Sequence, residues 1–169
     1  MVLRRAEMDD AEILVDLSIR TFTETFGDGY PPEDLDSFLT SAYQLEEHRQ
    51  LLTDPEYGIW LLEDGGQAVG YVLAGPCSLP HSDVTEDDGE VKRLYILQSH
   101  QGQGWGHVMM ELAINWLLRT GPRTLWLGVW SENLGAQRLY HSYGFSKAGE
   151  YYFVVGNTRD REFIFRRPA

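Results

Sequence analysis

The sequence predicts an α/β sandwich built around a mixed sheet. Helical patterns cluster near the N-terminus, strand patterns dominate from about residue 59, and two further helical patterns lie between later strands. Such a chain buries its apolar surface by packing helices against a sheet. With 169 residues, 43% hydrophobic content and no repeat or linker, it is expected to form a single domain, 1–169.

The N-terminal third is predicted to be mainly helical after a short strand at Val2–Arg5. Asp9 to Glu12 has the spacing of a capping box, in which an acceptor side chain precedes glutamate by three residues. The helix that it opens continues to about Phe26, where a Gly-Asp-Gly-Tyr-Pro-Pro run ends it. Two more helices are predicted, at about 33–42 and 45–52.

The remaining chain predicts strands with two interleaved helices. Asp64-Gly65-Gly66 is a hairpin turn signal between two β-rich runs. Gly121-Pro122 ends the helical pattern that precedes these two residues. The predicted strands are 59–62, 68–74, 91–97, 125–130, one starting at Phe145, 151–155 and 162–165. The predicted helices are about 108–118 and a short one that carries Ala136 to Tyr143.

Composition restricts the classes of partner that this protein is expected to bind. The formal net charge of −12 argues against nucleic acid and is compatible with a cationic substrate, although solubility also explains it. No apolar run reaches membrane-spanning length and no secretory h-region is seen, so no membrane partner and a cytoplasmic location are expected. Cys77 is the only cysteine, and the histidines lack paired ligand spacing, so no metal is expected.

The most informative motif is Gln101-Gly102-Gln103-Gly104-Trp105-Gly106, between a predicted strand and a predicted helix. Free N–H groups at a helix start, with the positive end of the helix dipole, bind phosphate. A dinucleotide fingerprint would need its third glycine at His107 or Met109, and no triphosphate-binding loop occurs. This spacing disfavours a nucleotide-binding oxidoreductase and leaves the pattern Q-x-x-G-x-G.

A second motif, N-x-x-A-x-x-L-Y-x-x-x-G-F, covers residues 133–145. The two motifs, in this order, resemble the acetyl-CoA-binding motifs of the GCN5-related N-acetyltransferase (GNAT) superfamily. The resemblance implies a three-layer α/β/α fold with about four helices. Its central sheet is mixed, mostly antiparallel, six- or seven-stranded and splayed in the middle, where the cofactor arm enters.

The resemblance also implies acetyl-CoA as cosubstrate. The glycine turn would hold the pyrophosphate, and the preceding strand would offer its backbone to the pantetheine arm and the acetyl carbonyl. Asn133 would bond the cofactor arm, cap the following helix, or do both. The implied cofactor-binding residues are Leu94, Tyr95, Ile96, Gln101, Gly102, Gln103, Gly104, Gly106, His107, Asn133 and Tyr140.

The implied reaction is direct attack of a primary amine on the thioester in a ternary complex. Tyr140 matches the family tyrosine that protonates the departing thiolate. Glu90 matches a glutamate that serves as base in several members, while ordered water is the alternative acceptor of the ammonium proton. Tyr140 and Glu90 are therefore the candidate catalytic residues.

Two further stretches, 21–26 and 126–133, resemble bacterial GNAT members that acetylate polyamines. The segment joining the first two helices helps to form the acceptor pocket in this fold, which implicates Phe22, Glu24, Phe26 and Tyr30. Aromatic faces and carboxylates suit an alkylammonium chain, so a small-molecule cationic amine is expected. A protein or peptide N-acetyltransferase and a noncatalytic acyl-CoA-binding sensor remain alternatives, and a homodimer is possible.

Overall fold

The computed structural model describes all residues, 1–169, and contains seven strands and five α-helices. The strands are β1 (Val2–Arg5), β2 (Gly58–Asp64), β3 (Gln67–Pro76), β4 (Gly89–Ile96), β5 (Leu125–Trp130), β6 (Ser146–Val155) and β7 (Thr158–Arg167). The helices are α1 (Ala11–Phe26), α2 (Pro32–Ala42), α3 (Leu45–Thr53), α4 (Trp105–Leu117) and α5 (Leu134–Ser142).

All seven strands form one sheet, in the order β1-β2-β3-β4-β5-β7-β6. Every neighbouring pair is antiparallel except β4 and β5, which are parallel. The parallel pair is joined only where Gly89 lies beside Leu125 and Glu90 beside Trp126. Beyond these residues the two strands separate, so the predicted mixed, mostly antiparallel and centrally splayed sheet is confirmed.

Helices cover both faces of the sheet. Residues 69–75 of β3 are all buried, as expected for a strand that is covered above and below. Both α1 and α4 pack against β3 and β4. The main core joins Leu14 and Leu17 of α1 to Met109 and Leu117 of α4 through the sheet, which gives the three-layer arrangement.

A second, aromatic cluster lies outside this core. Phe22 of α1 packs with its ring centroid 4.8 Å from that of Phe38 in α2 and 6.4 Å from that of Phe153 in β6. Tyr30, which precedes α2, is buried against Phe22. The cluster holds α1 and α2 against the β6–β7 hairpin, beside the separation of β4 and β5.

Two sequence predictions need correction. The capping box predicted at Asp9 to Glu12 does not form; instead the carboxylate of Asp10 accepts a hydrogen bond from the N–H of Glu7 at 2.8 Å and pairs with Arg4 at 2.8 Å. The two strand segments expected from Phe145 and at 151–155 form one strand, β6.

No helix is both long and apolar enough to cross a membrane.

Candidate functional site

A cleft of about 590 Å³ opens where β4 and β5 separate. The C-terminal half of β4 forms one wall, and Gly128 to Trp130 of β5 form the other. Gln101, Gly102 and Gly106 of the glycine turn close one end, while Asn133 and Tyr140 of the second motif also reach the cleft. Two motifs that are separate in the sequence therefore meet around one space.

The backbone of β4 is exposed to this cleft at alternate residues. The N–H of Leu97 donates to the carbonyl of Val69 in β3 at 2.8 Å. Because successive residues of a strand direct their N–H and C=O groups to opposite sides, Tyr95 also faces β3, and Leu94 and Ile96 face the gap. Leu94 thus offers its backbone groups and Ile96 its N–H, because the carbonyl of Ile96 already accepts a hydrogen bond from Gln101. Tyr95 contributes its side chain to the lining.

The glycine turn presents a continuous row of free donors. None of the backbone N–H groups from Gly102 to His107 donates to an acceptor within the protein. Gly102 and Gly104 adopt φ values of 74° and 85°, which are strained for residues with a Cβ. The free donors lie at the N-terminus of α4, so this turn fits the pyrophosphate of a coenzyme A moiety.

Gln101 plays a different part from the neighbouring glycines. Its N–H donates to the carbonyl of Gln98 at 3.3 Å, and its side-chain Nε2 donates to the carbonyl of Ile96 at 2.8 Å. Gln101 therefore ties the turn to the end of β4, and its N–H, unlike those from Gly102 to His107, is already engaged. Gln103, Gly104 and His107 are exposed and lie outside the cleft lining.

Gly106 has open space where a side chain would begin. An ideal Cβ at this position would meet only Cδ2 of Leu139, at 3.6 Å, which is an ordinary van der Waals contact. Its φ is not positive. The fold itself therefore does not require glycine here, although the residue lines the cleft.

Asn133 caps α5. Its side-chain Oδ1 accepts a hydrogen bond from the N–H of Ala136 at 3.1 Å, the N-cap interaction that satisfies one free donor of the helix. The residue also lines the cleft. The capping role is therefore present, and the side-chain amide nitrogen, which has no partner in the protein, is left for a ligand.

Tyr140 lies on α5 with only 9% of its surface exposed, and it lines the cleft. Its hydroxyl makes no hydrogen bond within the protein. Burial, followed by the nearby negative charge of Glu162, raises the pKa of the phenol to about 12. The phenol therefore keeps its proton throughout the neutral range.

A smaller cavity of about 110 Å³ adjoins the cleft. Aromatic side chains dominate it, and three of the predicted acceptor residues, Phe22, Phe26 and Tyr30, are among them. The O–H of Tyr30 donates a short hydrogen bond to the carboxylate of Asp160 in β7. The cavity is lined by Phe22, Phe26, Tyr30, Leu79, Glu90, Lys92, Tyr95, Gly128, Tyr151, Phe153 and Glu162.

Glu24, the fourth predicted acceptor residue, does not line this cavity. Its carboxylate accepts a hydrogen bond from the N–H of Gln98 at 2.9 Å, and its carbonyl accepts one from Nε2 of the same residue at 3.1 Å. Residues two apart on a helix point in different directions, so Glu24 cannot share the face of Phe22 and Phe26. It fastens α1 to the segment after β4.

Glu90, the predicted base, is 6% exposed and lines the smaller cavity. Its Oε1 is already engaged, because it accepts hydrogen bonds from Nζ of Lys92 at 2.9 Å and from the N–H of Ser78 at 3.0 Å. The structure therefore places Glu90 in the expected region but in an ion pair.

A further acidic residue at the site, Glu162 of β7, was not among the sequence-based candidates. It lines both the cleft and the smaller cavity. Burial, and then the negative charge of Asp160, raises the pKa of its carboxyl to about 7. Glu162 belongs to neither motif, and the only signal for it is an acidic residue within a predicted strand.

Comparisons with known proteins agree with this geometry. The family model described as Acetyltransferase (GNAT) family matches residues 14–145. The chain is 28% identical over 166 residues to an uncharacterized N-acetyltransferase encoded in the pepI 3′ region of Lactobacillus delbrueckii subsp. lactis. The alignment covers 98% of this chain and 95% of that relative.

Solved structures show the same fold. A PaiA N-acetyltransferase from Thermoplasma acidophilum, in complex with coenzyme A, superposes with a TM-score of 0.78 at 16% identity, covering 99% of this chain and 98% of that one. A ribosomal-protein-alanine N-acetyltransferase from Brucella melitensis gives 0.76 at 20% identity and covers both chains fully, at 100%. These comparisons do not support the narrower resemblance to polyamine-type members.

Proposed function

Because the chain belongs to the acetyltransferase (GNAT) family and is an acetyl-CoA-dependent N-acetyltransferase, we propose that its acceptor is the primary amine of a small cationic molecule. The observation that carries the proposal is the aromatic cavity beside the cleft. Its charged lining consists of Glu90, Glu162 and Lys92, so carboxylates outnumber the single cation.

The cavity suits the end of an alkylammonium chain. Aromatic faces attract cations through their quadrupole, by about 0.5–2 kcal/mol for each contact. Phe22, Phe26 and Tyr30 supply such rings on one side, and Tyr95 and Tyr151 supply others. A second charged amine in the acceptor would gain from the overall net charge of −12 during its approach.

The cosubstrate supplies an acetyl group activated as a thioester. Free N–H groups from Gly102 to His107 are proposed to bind its pyrophosphate, and Leu94 and Ile96 to hold the arm through their backbones. Asn133 would donate its side-chain amide to the same arm. These contacts fix the thioester beside the acceptor cavity, and such positioning alone can lower a barrier by several kcal/mol, up to about 7–11.

Tyr140 is proposed to donate its proton to the departing sulfur. The phenol is neutral at pH 7, nearly buried and without a competing hydrogen-bond partner. Because its raised pKa makes it a weak acid, the transfer depends on a direct hydrogen bond to the sulfur as negative charge develops there. The ammonium proton of the acceptor must pass to a base, for which the sequence indicates Glu90 or ordered water.

The test is thiol release from acetyl-CoA across a panel of amines. We expect a higher kcat/KM for 1,4-diaminobutane than for butylamine, which has the same chain length but a single charge. Higher kcat/KM for a peptide with an N-terminal alanine than for any small amine would instead indicate a protein acetyltransferase. Tight acetyl-CoA binding without thiol release in any arm would indicate a sensor. Tyr140→Phe serves as the impaired control.

A further inference from the structure

We propose, on the basis of this acetyl-transfer function, that Glu162 of β7 is the general base that takes the proton of the acceptor ammonium. Glu162 lies outside both sequence motifs. It also replaces Glu90, whose carboxylate is already engaged by Lys92 and Ser78.

Position is the first argument. Only five residues line both the cofactor cleft and the acceptor cavity, and these are Phe26, Lys92, Tyr95, Gly128 and Glu162. Glu162 is the only carboxylate among them. An amine that sits in the aromatic cavity and reaches a thioester in the cleft must pass this junction, where a base has to be within hydrogen-bond reach.

Availability is the second argument. The side chain of Glu162 forms no hydrogen bond or ion pair within the protein, and burial and Asp160 are what raise the pKa of its carboxyl. Glu90, by contrast, accepts two hydrogen bonds, one of them from a cation that would have to be displaced. A free carboxylate can accept a proton without first breaking a contact.

The backbone at Glu162 is held firmly. β7 lies between β5 and β6, and Glu162 pairs with Trp130 on one side and with Tyr151 on the other. Gly128 of β5 adds space at the junction, because a Cβ there would lie 3.0 Å from the hydroxyl of Tyr151. The carboxylate therefore projects from a rigid interior strand, which favours accurate placement of a proton acceptor.

The titratable groups around this carboxyl lie on four elements and on the segment before α2, which carries Tyr30. Asp160 lies on the same strand, Tyr151 on β6, Tyr140 on α5, and Tyr95, Glu90 and Lys92 on β4. Burial and Asp160 raise the pKa of Glu162 to about 7. A base works best when its pKa lies near the working pH.

The proton balance is complete. Glu162 takes one proton from the ammonium, and the freed amine forms a C–N bond with the acetyl carbon as the C–S bond breaks. Tyr140 gives its proton to the sulfur, and the second proton of the amine replaces it through solvent. Glu162 then releases its proton to solvent, so each turnover yields one acetamide, one thiol and one proton.

Two measurements on the full-length protein test the proposal. The first is the pH profile of kcat/KM for the best amine of the panel, with 1,4-diaminobutane as the starting probe, in wild type and in Glu162→Gln, Glu162→Asp, Glu90→Gln and Glu86→Gln. Glu86 is an exposed residue outside the site, so Glu86→Gln controls for the loss of one charge. The second is a ¹³C NMR titration of the glutamate carboxyls without substrate.

We expect Glu162→Gln to lower kcat/KM by about 10²–10⁴-fold and to abolish the acidic limb near pH 7. Glu162→Asp should recover part of the lost kcat/KM and show the acidic limb again. Glu90→Gln should keep the acidic limb, and the whole profile of Glu86→Gln should match that of wild type. The glutamate carboxyl signal that titrates near 7 should be absent from both Glu162→Gln and Glu162→Asp and should persist in Glu90→Gln and Glu86→Gln.

A Glu162→Gln profile that keeps its acidic limb and stays within threefold of wild type would overturn the base assignment while leaving the acetyl-transfer function intact. A carboxyl signal near pH 7 that persists in this variant would do the same. Absence of turnover by wild type with every amine would instead defeat the proposed function itself, and the base assignment with it.

Discussion

Nζ of Lys92 lies 2.9 Å from Oε1 of Glu90, and both side chains are largely covered, with 15% and 8% of their surface exposed. Nζ also donates to the hydroxyl of Ser78 at 2.8 Å. The pair therefore forms one wall of the acceptor cavity as a neutralised unit. Removing one partner should cost more than removing both, because a lone covered charge loses its compensation.

The variants Lys92→Met, Glu90→Gln and Lys92→Met/Glu90→Gln test this coupling. We expect Lys92→Met to lower the free energy of unfolding by roughly 1–3 kcal/mol, since it leaves a covered carboxylate unpaired. The double variant should recover part of that loss. Urea unfolding curves provide the measurement, and strictly additive effects of the two substitutions would contradict the coupling.

Gly106→Ala separates a requirement of the ligand from a requirement of the fold. The added methyl meets only Leu139 at 3.6 Å, and alanine favours a helix by up to about 1 kcal/mol. We expect an unchanged or higher melting temperature together with at least a tenfold rise in the Kd for coenzyme A. Gly29→Ala, where nothing lies within 4 Å of the new methyl, is the matched control. An unchanged Kd would show that the ligand does not approach Gly106.

Asn133 has two roles that different substitutions can separate. Asn133→Ala removes the 3.1 Å N-cap bond and should cost about 1 kcal/mol of stability. Asn133→Ser keeps an acceptor for the N–H of Ala136 but lacks the amide donor. We expect this variant to be stable within about 0.5 kcal/mol and to bind acetyl-CoA several-fold more weakly in calorimetry. Equal affinity would leave Asn133 with the capping role alone.

The cofactor half of this site could be predicted because each of its motifs is local. A strand, a glycine turn and a helix follow one another directly from Gly89 to Leu117, so the phosphate-binding geometry is encoded in one stretch of sequence. Gly102 and Gly104 need positive φ, which leaves a visible mark in the choice of residue. The sheet is splayed because β4, the strand of this unit, pairs with β5 only at Gly89 and Glu90.

The acceptor half of the site is harder to predict from the sequence, because strands that are distant in the sequence build it. Glu162 and Phe153 reach the cavity from the C-terminal hairpin, and no local pattern marks them. Glu24 does not line the cavity because it lies two residues from Phe22 and from Phe26 on α1, on a different face of the helix. The ion pair of Glu90 was detectable in principle, since Lys92 is two residues away and a strand places such residues on the same face.

Tyr140→Phe isolates the proposed acid. The hydroxyl has no hydrogen-bond partner in the protein, so its loss should change the free energy of unfolding by less than about 0.5 kcal/mol. We expect the kcat of the chemical step to fall about 10²–10³-fold, because general acids contribute on this scale. Affinity for acetyl-CoA should stay within twofold. An unchanged kcat, measured where chemistry limits the rate, would remove Tyr140 from the mechanism.

The raised pKa of Glu162 also predicts how stability depends on pH in the absence of ligand. A carboxyl with a pKa of about 7 in the folded state and 4.5 as its ordinary value binds its proton more tightly when folded. The stabilisation that this bound proton gives the folded state is therefore fully present below about pH 4.5 and is lost as pH rises through 7.

Glu162→Gln lacks this loss, so its advantage in unfolding free energy over wild type should grow from pH 5 to pH 8. After allowance for partial solvent screening, we expect a gain of roughly 1–3 kcal/mol, measured by urea unfolding at each pH. The corresponding difference for Glu86→Gln should stay flat, and parallel curves for wild type and Glu162→Gln would show that the carboxyl titrates as an ordinary surface group.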